Sequence, residues 1–192
     1  MTLPLILASA SPRRLELMRQ LGLKFETVPS DADELLCEEL SPGELARINA
    51  CRKACAVAER YPEAVVVGMD TMVALNGRVY GKPSSLDDAR KMLAELAGHE
   101  HVVVTGVCLI QLRARRKKVF AELTRVKLRS LAAREIDAYY ERANPLDKAG
   151  AYGIQEHGEL IVESIQGSFS NVVGLPMERV QSELRDFLET QP

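Results

Sequence analysis

The sequence has no tryptophan, and four phenylalanines and five tyrosines give an aromatic content of only 5%. That scarcity speaks against the stacking platforms by which proteins grip single-stranded nucleic acid. Cysteine is sparse as well. Cys37, Cys51, Cys55 and Cys108 show neither CxxC spacing nor the density of a disulfide scaffold. Cys51 and Cys55 stand one helical turn apart, and two small buried thiols are expected there. His99 and His101 alternate as strand-borne zinc ligands can, but no partner ligands accompany them and no zinc site is expected. No stretch approaches the roughly 18–20 apolar residues of a membrane span, and Met1–Leu7 lacks a basic leader region, so a cytoplasmic protein without a membrane partner is expected. Charge of one sign is missing too. With 25 basic and 27 acidic residues the formal net charge is −2, so any phosphate site must be a local cluster.

What is present is an ordinary globular chain. The 192 residues suit one domain spanning 1–192, divided at most into two lobes, with no repeat, linker or low-complexity tract. Leu5–Ala8 reads as a buried strand, followed by a helix with Ser11 as N-cap, Pro12 in its first turn and Gly22 as its stop. A strand near Lys24–Val28 and an acidic loop, Asp31–Glu34, come next. Ser41-Pro42-Gly43-Glu44 is a capping box, opening a helix whose apolar stripe is read as Leu45, Ile48, Cys51, Cys55 and Ala58. Lys53 lies off that stripe, toward solvent or a cleft. Ala64–Gly68 reads as a strand buried on both faces and ending in Met69-Asp70-Thr71. Asn76-Gly77 marks a hairpin. Helices over Leu86–Leu96, Ala132–Ala143 and the tail Leu175–Leu188 are predicted. So are strands over His101–Leu112 and Val119–Leu128, joined by a basic turn, Arg113–Lys118. This order points to a mixed α/β fold, a mixed sheet flanked by helices.

Several segments carry chemistry-bearing groups. A helix N-terminus presents unpaired N–H groups to anions; here Ser9 and Ser11 surround one, and Arg13 and Arg14 add forked donors suited to phosphate. A capped helix with two solvated arginines fits the same residues. Asp70, at the end of an apolar strand, sits where α/β sheets bind ligands. It could hold a divalent cation, orient a water or cap a turn. Glu34 offers a second carboxylate, as Mg²⁺ sites use, although a solvated acidic loop is the plainer reading. Lys82 is aimed by the stiff Gly81-Lys82-Pro83 turn. Lys148 and Gln155 lie in a loop of small residues that lets backbone approach a ligand, and the Gln155 amide could read a base edge. The basic run Arg113–Lys118 reads as an exposed hairpin tip.

Taken together these segments resemble the Maf family. The resemblance rests on Leu7-Ala8-Ser9-Ala10-Ser11-Pro12-Arg13-Arg14, Asp33-Glu34, Lys53-Ala54, Gly68-Met69-Asp70-Thr71 and Gly81-Lys82-Pro83. Farther along it rests on Asp147-Lys148-Ala149-Gly150-Ala151-Tyr152-Gly153-Ile154-Gln155, Gly167-Ser168-Phe169 and Asn171-Val172-Val173-Gly174-Leu175-Pro176. They follow the family's order over nearly the whole chain. The resemblance implies an elongated mixed sheet with a cleft between two lobes, related to inosine triphosphate pyrophosphatases. It implies hydrolysis between the α- and β-phosphates with a divalent cation, Mg²⁺ or Mn²⁺. Asp70 falls on the family's general-base position. Arg13, Thr71 and Gln155 fall on the positions that separate its specificity classes and are similar to the dTTP/UTP branch; in the 7-methyl-GTP branch a bulky aromatic replaces the first arginine. Two departures stand out: Asn49 where leucine is usual, and Asp31 and Asp33 beside Glu34.

The expected enzyme binds a nucleoside triphosphate through Ser9, Ser11, Arg13, Arg14, Lys53, Thr71, Lys82, Lys148 and Gln155, with Glu34 and Asp70 at the metal. Modified pyrimidine nucleotides are an alternative substrate, and the resemblance leaves room for a homodimer. A non-catalytic nucleotide-binding regulator of cell division is the competing reading and predicts binding without turnover. A nucleic-acid module using Arg113–Lys118 would bind oligonucleotides in a salt-dependent way; no nucleic-acid partner is expected.

Overall fold

A computed structural model describes residues 3–189; Met1 and Thr2, the start of the short apolar run, and residues 190–192 lie outside them. The strands are β1 (Leu5–Ala8), β2 (Glu26–Thr27), β3 (Val65–Leu75), β4 (Arg78–Tyr80), β5 (Glu100–Gln111), β6 (Arg116–Leu128) and β7 (Val162–Gln166). The helices are α1 (Pro12–Gln20), α2 (Pro42–Ala58), α3 (Leu86–Leu96), α4 (Ala133–Tyr140), α5 (Phe169–Val173) and α6 (Met177–Glu189). The strands form one mixed seven-stranded sheet in the order β2-β1-β3-β5-β6-β7, with β4 also on β3. β1 is parallel to β2 and β3, and the other pairings are antiparallel. The expectation of a mixed sheet flanked by helices holds.

The local signals act as read. Ser11 Oγ accepts from Arg14 N, and Ser41 and Glu44 exchange both bonds of the capping box. Asn76 and Gly77 have φ of 51° and 84°, the double positive φ of the tightest hairpin turns.

Strand β3 differs from expectation in a way that builds the site. The strand does not end at Gly68 but continues to Leu75, so Asp70 and Thr71 lie inside it. On one edge β1 pairs with Val65–Gly68 and β4 with Val73–Leu75. Between these stretches, that edge of residues 69–72 has no strand partner among the described residues. The opposite edge stays paired, with Asp70 facing Gly106 and Thr71 facing Thr105 on β5. Neighbouring side chains on a strand point to opposite faces, so Asp70 looks toward α2 while Thr71 looks toward α1 and α5.

Helix α2 lies on the sheet by backbone contact. A Cβ on Gly68 would stand 2.4 Å from Ala50 O, and one on Gly106 2.3 Å from Ala46 C and O. The two glycines are what admit the helix. Its buried stripe is Leu45, Ala46, Asn49, Ala50, Ala54, Val57 and Ala58, which corrects the predicted one: Ile48 is exposed, and Cys51 and Cys55 are half-buried. Small alanines, not the larger residues, face the sheet because the approach is so close. The other face packs Val65, Val67, Met69, Val107 and Leu109 against Leu17 and Met18 of α1 and Val180, Leu184 and Phe187 of α6.

The basic run is also placed differently. The turn ends before Arg116, which opens β6. Arg116 donates to Phe187 O and stacks 4.3 Å from its ring centroid, and Lys118 pairs with Glu183. Part of the supposed hairpin tip is therefore a clamp on α6. Helix α4 ends at Tyr140, three residues earlier than predicted, and β2 spans only two residues. Among the described residues no helix is long and apolar enough to cross a membrane.

Candidate active site

The gap in the edge of β3 opens into a cleft of about 450 Å³, lined by Ser9–Arg14, Glu34, Lys53, Asp70, Thr71, Lys82, Lys148 and Gln155 among others. Every sequence-predicted site residue is thus brought to one cavity, although their roles divide.

On the α2 face, Lys53 Nζ lies 2.6 Å from both Glu34 Oε1 and Asp70 Oδ1. The side chains of Lys53 and Asp70 are 15% and 6% exposed, that of Glu34 50%, so the Asp70 contact is sheltered and the Glu34 contact is wet. Burial tends to raise the Glu34 carboxyl, but the Lys53 hydrogen bond and the charges of Lys53, Lys82 and Arg14 outweigh it and hold the group below its ordinary value. Asn49, four residues before Lys53 and fully buried, accepts from Leu35 N at 2.7 Å. It donates to Leu35 O at 3.0 Å and to Asp70 Oδ2 at 3.5 Å.

On the other face the two arginines part company. Arg14 is tied inward, Nε to Gly174 O at 2.9 Å, Nη1 to Met69 O at 3.0 Å and Nη2 to Thr71 Oγ1 at 2.8 Å. It caps the unpaired strand edge at Met69, so structural anchoring accompanies any role in binding anions. Burial pulls its pKa below the ordinary value against the raising influence of Asp70. Thr71 Oγ1 also meets Thr105 Oγ1 at 2.9 Å, and Thr105 donates to Asn171 O. Arg13 spans the cleft instead, reaching Asp147 Oδ2 at 2.6 Å and Asp147 O at 3.2 Å.

The small-residue loop is close-packed by the protein itself. A Cβ on Gly150 would stand 2.9 Å from Val73 Cγ1, and one on Gly153 2.5 Å from Lys148 Cε. The room at those two glycines is thus taken by Val73 and Lys148. Lys148 is 4% exposed and bonds Asn144 O, Asp147 Oδ1 and Glu156 Oε1 at 2.5, 2.8 and 2.9 Å. Lys82 and Gln155 are exposed along the cleft, and Gly150 N donates to Gly81 O, tying their two loops together. Ser9 accepts from Ser11 N at 3.2 Å, holding the turn into α1.

His101 is buried with Nε2 2.7 Å from Tyr152 Oη, and burial lowers its pKa to about 4. It anchors the loop through Tyr152. No group of three or more His, Cys, Asp or Glu residues able to hold a metal occurs among the described residues. Sequence reading missed the anchoring parts of Asn49, Thr105, Asn171 and His101. Only Asn49 carried a usable signal, a polar residue one turn from Lys53 within an alanine-rich helix.

Residues 4–187 match the family model described as Maf-like protein. The chain is 46% identical over 187 residues to a protein of Gloeobacter violaceus named dTTP/UTP pyrophosphatase, covering 97% of each chain. It is 46% identical over 193 residues to the dTTP/UTP pyrophosphatase of Acetivibrio thermocellus, covering 95% of this chain and 94% of that one. A Bacillus cereus protein of the same name is 45% identical over 184 residues, with 95% of each chain covered. With nearly its whole length matched, the chain belongs to the Maf family.

Proposed function

We propose that this protein is a nucleoside triphosphate pyrophosphatase, hydrolysing dTTP and UTP to the monophosphate and pyrophosphate. The observation that carries the reading is the convergence at one cleft of a carboxylate pair with separate cationic groups, Asp70 and Glu34 on Lys53, with Arg13 and Lys82 along the walls. Such a site needs both signs. Cations hold the phosphate oxygens, and a carboxylate must remain to take a proton from water.

Arg13 would exchange its Asp147 contact for phosphate oxygens, gaining a forked donor pair against the triphosphate. Lys53 and Lys82 would add point charges, and the α1 N-terminus with Ser9 and Ser11 would offer N–H and hydroxyl donors. Arg14 would hold Thr71 and the strand edge in place and add positive potential. Asp70 would orient the attacking water at the α-phosphorus and accept its proton. Its Oδ2 is the freer oxygen, with only the long Asn49 contact among the described residues. Lys148 would fix the loop that carries Gln155, whose amide would read the base. A protein of this description works in solution on small nucleotides, and the cytoplasm is the compartment that suits it.

The donor set also fits a divalent cation. Glu34 and Asp70 converge on the Lys53 ammonium, which a bound ion would have to displace, and no third carboxylate joins them among the described residues. Mg²⁺ commonly takes one or two carboxylates and completes its shell with phosphate and water oxygens. Glu34 and Asp70 would hold such an ion, which when bound supplies charge neutralisation and a more acidic water.

The test is product identification from dTTP, UTP, CTP, ITP and 7-methyl-GTP with Mg²⁺ or Mn²⁺. Pyrophosphate with dTMP or UMP, lost with chelator, is the expected result. Inorganic phosphate with a diphosphate would place the attack at the γ-phosphorus and overturn the reading.

A further inference from the structure

We infer that Asn49 is a positioning residue that sets the distance between the two acids of the site. The inference rests on the pyrophosphatase reading and extends it to a side chain outside the catalytic pair.

The geometry is specific. Asn49 is 0% exposed, and its amide makes a two-point bond with the backbone of Leu35, N–H to Oδ1 at 2.7 Å and Nδ2 to O at 3.0 Å. This is the pairing a strand neighbour would make, supplied by a side chain. Leu35 follows Glu34, in a segment without helix or strand from residue 28 to 37. The start of that segment is held by Val28 N on Leu7 O and Arg60 on Pro29 O, and nearer Glu34 it is held by Ala32 N on Ser30 Oγ, Arg52 on Asp33 O and the Lys53 contact of Glu34 itself. The same Nδ2 lies 3.5 Å from Asp70 Oδ2. One buried amide therefore touches the loop that carries Glu34 and the strand that carries Asp70.

The support under Asn49 is rigid. The α2 backbone rests on Gly68 and Gly106, and Gly106 faces Asp70 across the β3–β5 pairing. Asn49 and Lys53 are one turn apart, so both side chains stand over Asp70 from the same helix face. Lys53 links the acids by charge but on a flexible stem. Asn49 has two short torsions and a planar amide, which is what fixes a distance. A leucine here would fill the space and leave Leu35 N–H and C=O without their partners.

The experiment compares wild type with Asn49→Leu and Asn49→Asp, after thermal melts establish that each folds. Two quantities are read: hydrogen exchange at the Leu35 amide, and kcat and KM for dTTP. Asn49→Leu is expected to speed Leu35 exchange at least about tenfold. It should lower kcat by roughly ten- to a hundredfold with KM changed by less than about threefold, because orientation rather than phosphate binding is lost. Asn49→Asp keeps the acceptor for Leu35 N–H but loses both donor contacts. It should retain more Leu35 protection than the leucine variant and still lose turnover. Should Asn49→Leu melt below the assay temperature, Asn49→Ser, which cannot reach Leu35, carries the same expectation. Faster Leu35 exchange with unchanged kcat would overturn the inference, as would a loss of kcat with Leu35 exchange unaltered. Asp70→Asn is run alongside. An absence of dTTP hydrolysis in the wild type would sink the pyrophosphatase reading, and full turnover in Asp70→Asn would sink the role of Asp70. Loss of turnover in that variant together with full kcat in Asn49→Leu sinks only the role of Asn49.

Discussion

Replacing Lys53 with methionine keeps a long apolar stem and removes the charge that separates Glu34 from Asp70. Both contacts are 2.6 Å, but they are not equal in energy. The Lys53–Asp70 pair is sheltered, and removing one partner of a buried pair destabilises by about 3–5 kcal/mol. The lower end applies, because Asp70 keeps its Asn49 contact and opens onto the cleft. The Glu34 contact is half-exposed, so its share is below about 1 kcal/mol. A loss of about 3–4 kcal/mol follows at neutral pH, or roughly 10 °C in Tm for a chain of this size. The pH dependence carries the sharper test. In the wild type Glu34 is held below its ordinary pKa. Its contribution is therefore present above the ordinary carboxylate range and lost as pH falls through the lowered value. In Lys53→Met, Glu34 faces the like charge of Asp70 without an ammonium and takes its proton at higher pH, so acid stabilises the variant. The gap between the two proteins should narrow from about pH 7.5 to about pH 5. Urea unfolding at the two pH values measures it. A gap that is absent, or that stays constant with pH, would refute the reasoning.

Three further outcomes follow from the same structure. Gly106→Ala forces a Cβ against the Ala46 backbone; it should lower stability by about 1–3 kcal/mol and reduce turnover together, seen as parallel falls in urea midpoint and kcat. Arg14→Lys keeps a charge but cannot serve Gly174 O, Met69 O and Thr71 Oγ1 at once. Leaving a buried acceptor unpaired should destabilise by about 1–3 kcal/mol, checked by calorimetry. His101, its pKa lowered to about 4 by burial, stays neutral when the unfolded chain takes a proton. Wild-type stability should therefore fall by up to about 1.4 kcal/mol per pH unit from about pH 6.5 down to about pH 4, a slope that His101→Gln reduces in acid urea titrations.

The parts of the molecule legible in the sequence were those written in local chemistry. The Ser41–Glu44 box, the Ser11-Pro12 cap and the Asn76-Gly77 turn each contain their own hydrogen-bond partners within a few residues. The candidate site was legible as a set of residues because its motif segments are short and distinctive. What those residues do was less so. Arg13 and Arg14 are adjacent and chemically identical, yet one bridges to Asp147 and the other is drawn inward by Gly174, more than 150 residues away. The stripe of α2 was misread because hydrophobicity favoured Ile48 and the cysteines, while the closeness of Gly68 and Gly106 selected alanine. β7 and α5 went unpredicted for related reasons. Val162–Gln166 is a sheet-edge strand with no fully buried residue, and α5 is only five residues long, held by the Ser168 cap and the left-handed Gly174.

The central claim is that water, oriented by Asp70, attacks the α-phosphorus of dTTP or UTP. Turnover in ¹⁸O-labelled water, with products resolved by mass spectrometry, tests it most directly. The account predicts one labelled oxygen in the nucleoside monophosphate and none in pyrophosphate, with the reaction abolished in Asp70→Asn. Label in the pyrophosphate, or undiminished turnover in that variant, would contradict it.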